Sequence, residues 1–229
     1  MIFGASFEPL FFIPGTNVPV YEHVVTQWII ILILALITIP ATKNMKVVPR
    51  GLQNAWEAIV QWALDFFGGA LTEDVAKKWA PLLATFFLFI LTSNYLGLLP
   101  GAGTISGFVP PTADWNITVT LALIVFFAVH IAGVAENGGL GYLKHFVSPN
   151  PAFLPLNLLE EIAHPLSLTI RLFGNIFGHE MIVGFLVLLA PFFIPMPLVA
   201  LGVLTGLIQA LVFTILAASY IASATGEGH

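Results

Sequence analysis

Apolar residues run in blocks of membrane length along most of this chain, and polar residues collect between the blocks. The first block, 24–40, passes through Trp28 to Leu32 and predicts a spanning helix that His23 extends. Residues 51–72 differ. Leu52, Ala55, Trp56, Ile59, Val60, Trp62, Ala63, Phe66 and Phe67 recur near helical spacing, with Gln53, Asn54, Glu57, Gln61 and Asp65 between them. That pattern predicts an amphipathic helix lying at the membrane interface rather than crossing it. Blocks 81–99 and 117–134 predict the second and third spans, separated by the loop 100–116. A polar connection, 135–155, carries Glu136 and Lys144. Two longer blocks, 156–190 and 195–224, predict a helical hairpin closed by the Pro-rich turn 191–197. Each hairpin arm exceeds the ~20 residues of a perpendicular crossing, so both arms are expected to tilt strongly.

Composition strengthens the membrane reading. The 229 residues are 58% hydrophobic and 8% charged, with a mean hydropathy of +0.97. Cysteine is absent, which excludes disulfides, thiolate metal sites and thiol catalysis. No basic patch points to nucleic acid. Lys43, Lys46, Arg50, Lys77 and Lys78 fall between the first two spans and Lys144 after the third, while 100–116 has no basic residue. The positive-inside rule then puts the N-terminus outside, these connections in the cytoplasm, and both ends of the hairpin inside. The first basic residue is Lys43, so the opening segment lacks the cationic start of a signal peptide and the first helix is expected to stay as an anchor. One membrane domain over 1–229 is expected.

Charge becomes informative where it is least expected. Seven residues are Lys or Arg, and Arg171 alone lies inside an apolar block, between Leu166–Ile170 and Leu172–Gly174. A guanidinium at mid-membrane depth costs roughly 2.5–3.5 kcal/mol on insertion scales and does not lose its proton. A fixed cation there suits an anionic partner or a travelling ion. The same block holds Glu160, Glu161, His164, Ser167, Asn175, His179 and Glu180. At ~100° per residue, Glu160, His164, Arg171 and Asn175 share one broad face, and Glu180 points to the opposite side. Glu161 lies roughly 15 Å before Arg171 and Glu180 roughly 13–14 Å after it. A central cation flanked by offset carboxylates suits two aqueous paths that stop short of each other. Solvation of Glu160 and Glu161, a helix-start role for His164, a hydrogen-bonded His179–Glu180 pair and a packing role for Asn175 are the plainer readings. For Arg171 the plainer reading is an ion pair with Glu160 or Glu180. Gly174 and Gly178, like Gly202 and Gly206 on the next block, have the spacing that lets helices approach closely. Gln209 is the strongly polar side chain inside the last block and a candidate neighbour of Arg171.

The run Arg171 to Asn175, preceded by Pro165 to Leu168, resembles the signature of the F-type ATP synthase a subunit. Thr92 to Pro100, Pro111 to Thr118 and Gln209 to Phe213 resemble further motifs of that family in the same order, so the likeness extends over most of the chain. The resemblance implies an all-α membrane protein, about five membrane helices plus the interfacial helix. It implies a stator whose tilted hairpin lies against a rotating ring of c subunits, held by b subunits of the peripheral stalk within the rest of the synthase. By resemblance Arg171 faces the ring carboxylates. Glu180 matches the carboxylate of the outer half-channel, Glu161 with Glu160 that of the inner one, and Asn175 and Gln209 match polar positions near the arginine. His164 is grouped with the inner acids. The position seven before Gln209 is polar in some relatives and is Gly202 here; His179, beside Glu180, is expected to supply that polarity from the facing helix. The family has its catalytic sites on other subunits, and no cofactor or metal is expected. A bacterial inner membrane is the expected location, with an organelle copy as the alternative.

Two other classes compete. A secondary transporter would use Arg171 to bind an anionic substrate, but the chain lacks halves with matching broken helices. A membrane metal enzyme would use His164, His179 and Glu180, but no compact ligand motif occurs.

Overall fold

Helix follows wherever the sequence offers a long apolar block, because lipid leaves no other way to satisfy each backbone N–H and C=O within one segment. The computed structural model describes residues 9–12, 19–43, 46, 50–68, 73–99, 102, 109–147, 150, 153–189 and 195–226. A two-residue antiparallel pair, β1 (Phe11–Phe12) with β2 (Pro19–Val20), precedes α1 (Glu22–Lys43). Then come α2 (Leu52–Gly68) and α3 (Glu73–Gly97), a 3-10 turn at Pro111–Ala113, α4 (Trp115–Val147), α5 (Leu154–Leu189) and α6 (Pro195–Thr225). Five of these helices, all but α2, contain a stretch long and apolar enough to cross a membrane. The fold is an all-α membrane protein.

Two stretches differ from the sequence expectation, and a third keeps its expected helix across a proline. α3 begins at Glu73, eight residues before the expected 81, and runs through Pro81. The Thr85 hydroxyl donates to the Pro81 carbonyl at 2.7 Å and keeps a bond in that turn. α4 continues past 134 to Val147, so much of the expected polar connection is helical. The break falls at Gly138, whose φ of 69° and ψ of 157° suit only glycine. Beyond it Tyr142 folds back and packs on Gly133, where any Cβ would overlap its ring. Asn137 donates to the Ala224 carbonyl at 2.9 Å and ties the break to the end of α6. Polarity marked this stretch as a connection, and tertiary contacts hold it as helix. Third, α5 stays continuous across Pro165, where Thr169 donates to the proline carbonyl at 2.8 Å. The turn expected at 191–197 lies outside the described residues over 190–194, as do the expected helix end at 69–72 and most of the loop 100–108.

The core centres on α6. Gly202, Gly206, Ala210, Ala217, Ala218 and Ala222 give it a buried face of small residues, which lets α3 and α4 approach closely. Phe213 fills the space between them edge-on to Phe86 of α3, with ring centroids 5.7 Å apart. α5 covers the bundle with one narrow buried stripe, Leu168, Thr169, Leu172 and Ile176, and leaves the rest of its described surface half-buried or exposed. Asp114 caps α4 by accepting the Asn116 N–H at 2.8 Å. A buried network then locks the turn before α4 to the core. Asn94 of α3 donates to the Gly206 carbonyl at 3.0 Å and accepts from the Thr112 hydroxyl at 2.9 Å, and Ser93 takes the Thr112 N–H at 3.2 Å.

Candidate functional site

α5 carries almost every polar residue singled out in the sequence, and its narrow buried stripe sorts them by side. Arg171 projects at the edge of the open face. It is exposed, and its Nη2 donates to the Ser167 hydroxyl at 3.3 Å, one turn back on the same helix. Among the described residues no carboxylate lies within ion-pair distance of it, so the plain ion pair with Glu160 or Glu180 is not formed. Gly174 and Gly178 share this face. A Cβ built on either meets nothing within 4 Å. A cation and two bare glycines therefore stand together on one face, with no described residue packed over the glycine Cα positions.

Two small pockets lie on either side of Arg171 along α5. The first joins Glu180 and His179 to Asn94, Gly97, Leu98, Ile176, Gly202 and Thr205. His179 Nε2 donates to the Leu198 carbonyl at 3.0 Å, which fixes the ring against α6. A Cβ at Gly202 would stand 2.5 Å from that nitrogen, so the imidazole fills the space a side chain at 202 would need. The His179 ring is thus the side chain that stands beside the bare 202 position.

The second pocket joins Glu161 and His164 to Ala122, Val125, Phe126, Val129, Pro165, Leu168 and Tyr220. Glu160 and Glu161 part company here. Glu160 is exposed and pairs with His164 one turn along, at 3.5 Å. Glu161 turns inward and lies 3.9 Å from Nε2 of His130 on α4. His164 stacks on Tyr220 of α6, with centroids 4.0 Å apart and planes 15° from parallel. Pro165 lacks the N–H that would bind the Glu161 carbonyl, which leaves one more acceptor at this pocket. The two pocket carboxylates, Glu161 and Glu180, are roughly 28 Å apart along the helix axis.

Asn175 is half-buried one turn beyond Arg171. Gln209 is buried on α6, and its Nε2 has no hydrogen-bond partner among the described residues. Leaving such a donor unmet costs about 1–3 kcal/mol, which marks the position as one that does more than fill space. The sequence reading passed over His130, Tyr220, Asn94 and Thr205. His130 was within reach of the rule that found Arg171, an ionisable group inside a span, but sits close to the expected end of that span. The others are common residue types whose importance comes from what faces them.

Comparison with known proteins gives a consistent result. The model of the family described as ATP synthase A chain matches residues 24–222. The chain is similar to ATP synthase subunit a of Moorella thermoacetica, 42% identical over 209 residues, covering 90% of this chain and 91% of that protein. It is similar to the chloroplastic ATP synthase subunit a of Oedogonium cardiacum, 41% identical over 215 residues, covering 91% of this chain and 84% of the relative. It is also similar to ATP synthase subunit a 1 of Pelobacter propionicus, 40% identical over 212 residues, covering 91% and 89%.

Proposed function

The chain belongs to the ATP synthase A chain family, the proton-translocating membrane subunit of the F-type synthase, and on that premise we propose how its residues move protons. It is a multi-pass membrane protein, with five helices able to cross. In this reading it is the stator. Arg171 faces the carboxylates of a turning c-subunit ring, the pocket of Glu180 and His179 ends one half-channel, and the pocket of Glu161, Glu160 and His164 ends the other. The b subunits of the peripheral stalk hold the chain still, and catalysis of ATP synthesis lies on other subunits. The N-terminus is outside and the C-terminus cytoplasmic, in a bacterial inner membrane.

The observation that carries the reading is the position of Arg171: exposed, without a carboxylate partner among the described residues, and between two separate pockets that each pair a carboxylate with histidine. A fixed guanidinium beside a ring carboxylate favours its ionised form and so drives release of the arriving proton. The same charge repels a proton that would pass straight from one pocket to the other. Gly174 and Gly178 let the ring helices come close enough for that charge to act. Asn175, half-buried one turn beyond Arg171, is placed to offer a polar contact to the ring, while Gln209 is buried within the chain.

The test is ATP-driven proton pumping in vesicles that carry the whole complex with Arg171→Ala. The variant is expected to assemble and to lose coupled pumping. An assembled variant that pumps at the unmodified rate sinks the reading.

A further inference from the structure

The ionisable group that the preceding account leaves without a task is His130, half-exposed on the face of α4 turned toward α5. We infer that His130 exchanges protons with Glu161, and that the pair forms the cytoplasmic exit of the path. The inference rests on the stator reading and adds a residue to it.

Its Nδ1 lies 2.9 Å from the Phe126 carbonyl oxygen. A carbonyl oxygen only accepts, so Nδ1 carries a proton and Nε2 is the nitrogen at which a proton is gained or lost. Nε2 faces Oε2 of Glu161 at 3.9 Å. That gap exceeds a direct hydrogen bond and is short enough for transfer through one water or after a small side-chain rotation. The side chains are 31% and 20% exposed, so neither is sealed inside this chain while they face each other.

The step balances simply. The O–H bond of the Glu161 carboxyl breaks and an N–H bond forms at Nε2, leaving a carboxylate and an imidazolium. The imidazolium then gives the Nε2 proton to water on the cytoplasmic side and returns to the neutral ring with its Nδ1 proton. The reverse sequence serves pumping.

The groups around the pair leave this task to it. On the far arm of α4, the Tyr142 ring meets His130 edge-on at 5.8 Å. Burial, with the Glu161 charge added, pushes the Tyr142 hydroxyl up to about 12, so it keeps its proton across the working range. On α5, Glu160 and His164 pair with each other, and Tyr220 of α6 stacks on His164. Farther along α4, Glu136 is held by Lys78 of α3 at 2.8 Å. A histidine facing a carboxylate is the combination that trades protons near neutrality.

The experiment uses the whole synthase in liposomes and follows ATP-driven pumping against pH, with subunit content and ATP hydrolysis measured alongside. His130→Gln keeps a donor for the Phe126 carbonyl but holds no exchangeable charge. It is expected to assemble, to pump about tenfold more slowly, and to lose the change of rate across the imidazole range. Imidazole added on the cytoplasmic face is expected to restore His130→Ala, while pyrazole, similar in shape but far less basic, does not. A His130→Gln complex with an unchanged rate and pH profile overturns the inference, and so does equal rescue by pyrazole. Failure of both variants to assemble overturns it too, because only a packing role makes the ring indispensable. Arg171→Ala in the same assay separates the two readings. Normal pumping there sinks the stator reading; its loss beside a normal His130→Gln sinks the relay alone.

Discussion

A methyl group at position 202 has nowhere to go. It would stand 2.5 Å from His179 Nε2 and 2.6 Å from Leu98 Cδ2, and the imidazole is held by its bond to the Leu198 carbonyl. Gly202→Ala is therefore expected to destabilise the chain by about 1–3 kcal/mol through overpacking. His179→Ala on the same background removes the clash with the imidazole, leaves that with Leu98, and is expected to recover part of the loss. Unfolding of the detergent-solubilised single and double variants measures the coupling, and additive losses would mean that the two positions do not meet. The same physics makes the pairing hard to read from sequence. A histidine next to Glu180 and a glycine 23 positions later look unrelated until α5 and α6 are folded together. Arg171, by contrast, stands out at once, because a charge in an apolar block is costly wherever the neighbours lie.

Elements obey their own chemistry except where another element overrules it. The apolar blocks became helices close to their expected places, since the membrane demands it. α4 is the exception in length, and Gly138 carries the difference. Its φ of 69° with ψ of 157° excludes a Cβ, so Gly138→Ala is expected to cost about 1–3 kcal/mol. The loss should come with release of the far arm, seen as faster amide exchange over the segment that holds Tyr142. Uniform exchange along α4 in the variant would contradict this. The sequence could not show that residues after the glycine return to helix, because Tyr142 on Gly133 and Asn137 on Ala224 are contacts between distant positions. The amphipathic pattern of α2 was readable for the opposite reason. Ile59, Trp62 and Phe66 remain exposed, although Trp62 also meets the Phe87 ring of α3, so their spacing is largely that of a surface helix.

At the scale of the whole molecule, the proposed stator role gives the open face of α5 its use in an assembly. Ile170, Phe177, Ile182 and Phe185 are exposed around Arg171, Gly174 and Gly178. A Cβ at Gly174 meets nothing within 4 Å among the described residues, so with Gly174→Leu the isolated subunit is expected to unfold no more easily than the unmodified one. A bulky side chain there should nonetheless block close approach of the ring and lower the yield of intact complex. Co-purification of ring and subunit against the unfolding midpoint separates the two effects. A variant that assembles fully would place the ring contact elsewhere.

The sequence by itself determined the class of protein, the number of spanning blocks, the family and the one arginine worth most attention. Each follows from a local property: apolar length, charge in the wrong solvent, or a run of adjacent residues. Only the tertiary structure decided that Glu161 rather than Glu160 turns inward, that His130 meets it, that His179 takes the room left by Gly202, and that Arg171 is left without a carboxylate of its own. Those facts depend on how helices rotate and tilt against one another. Small residues on α6 set that packing through contacts between positions far apart in the chain.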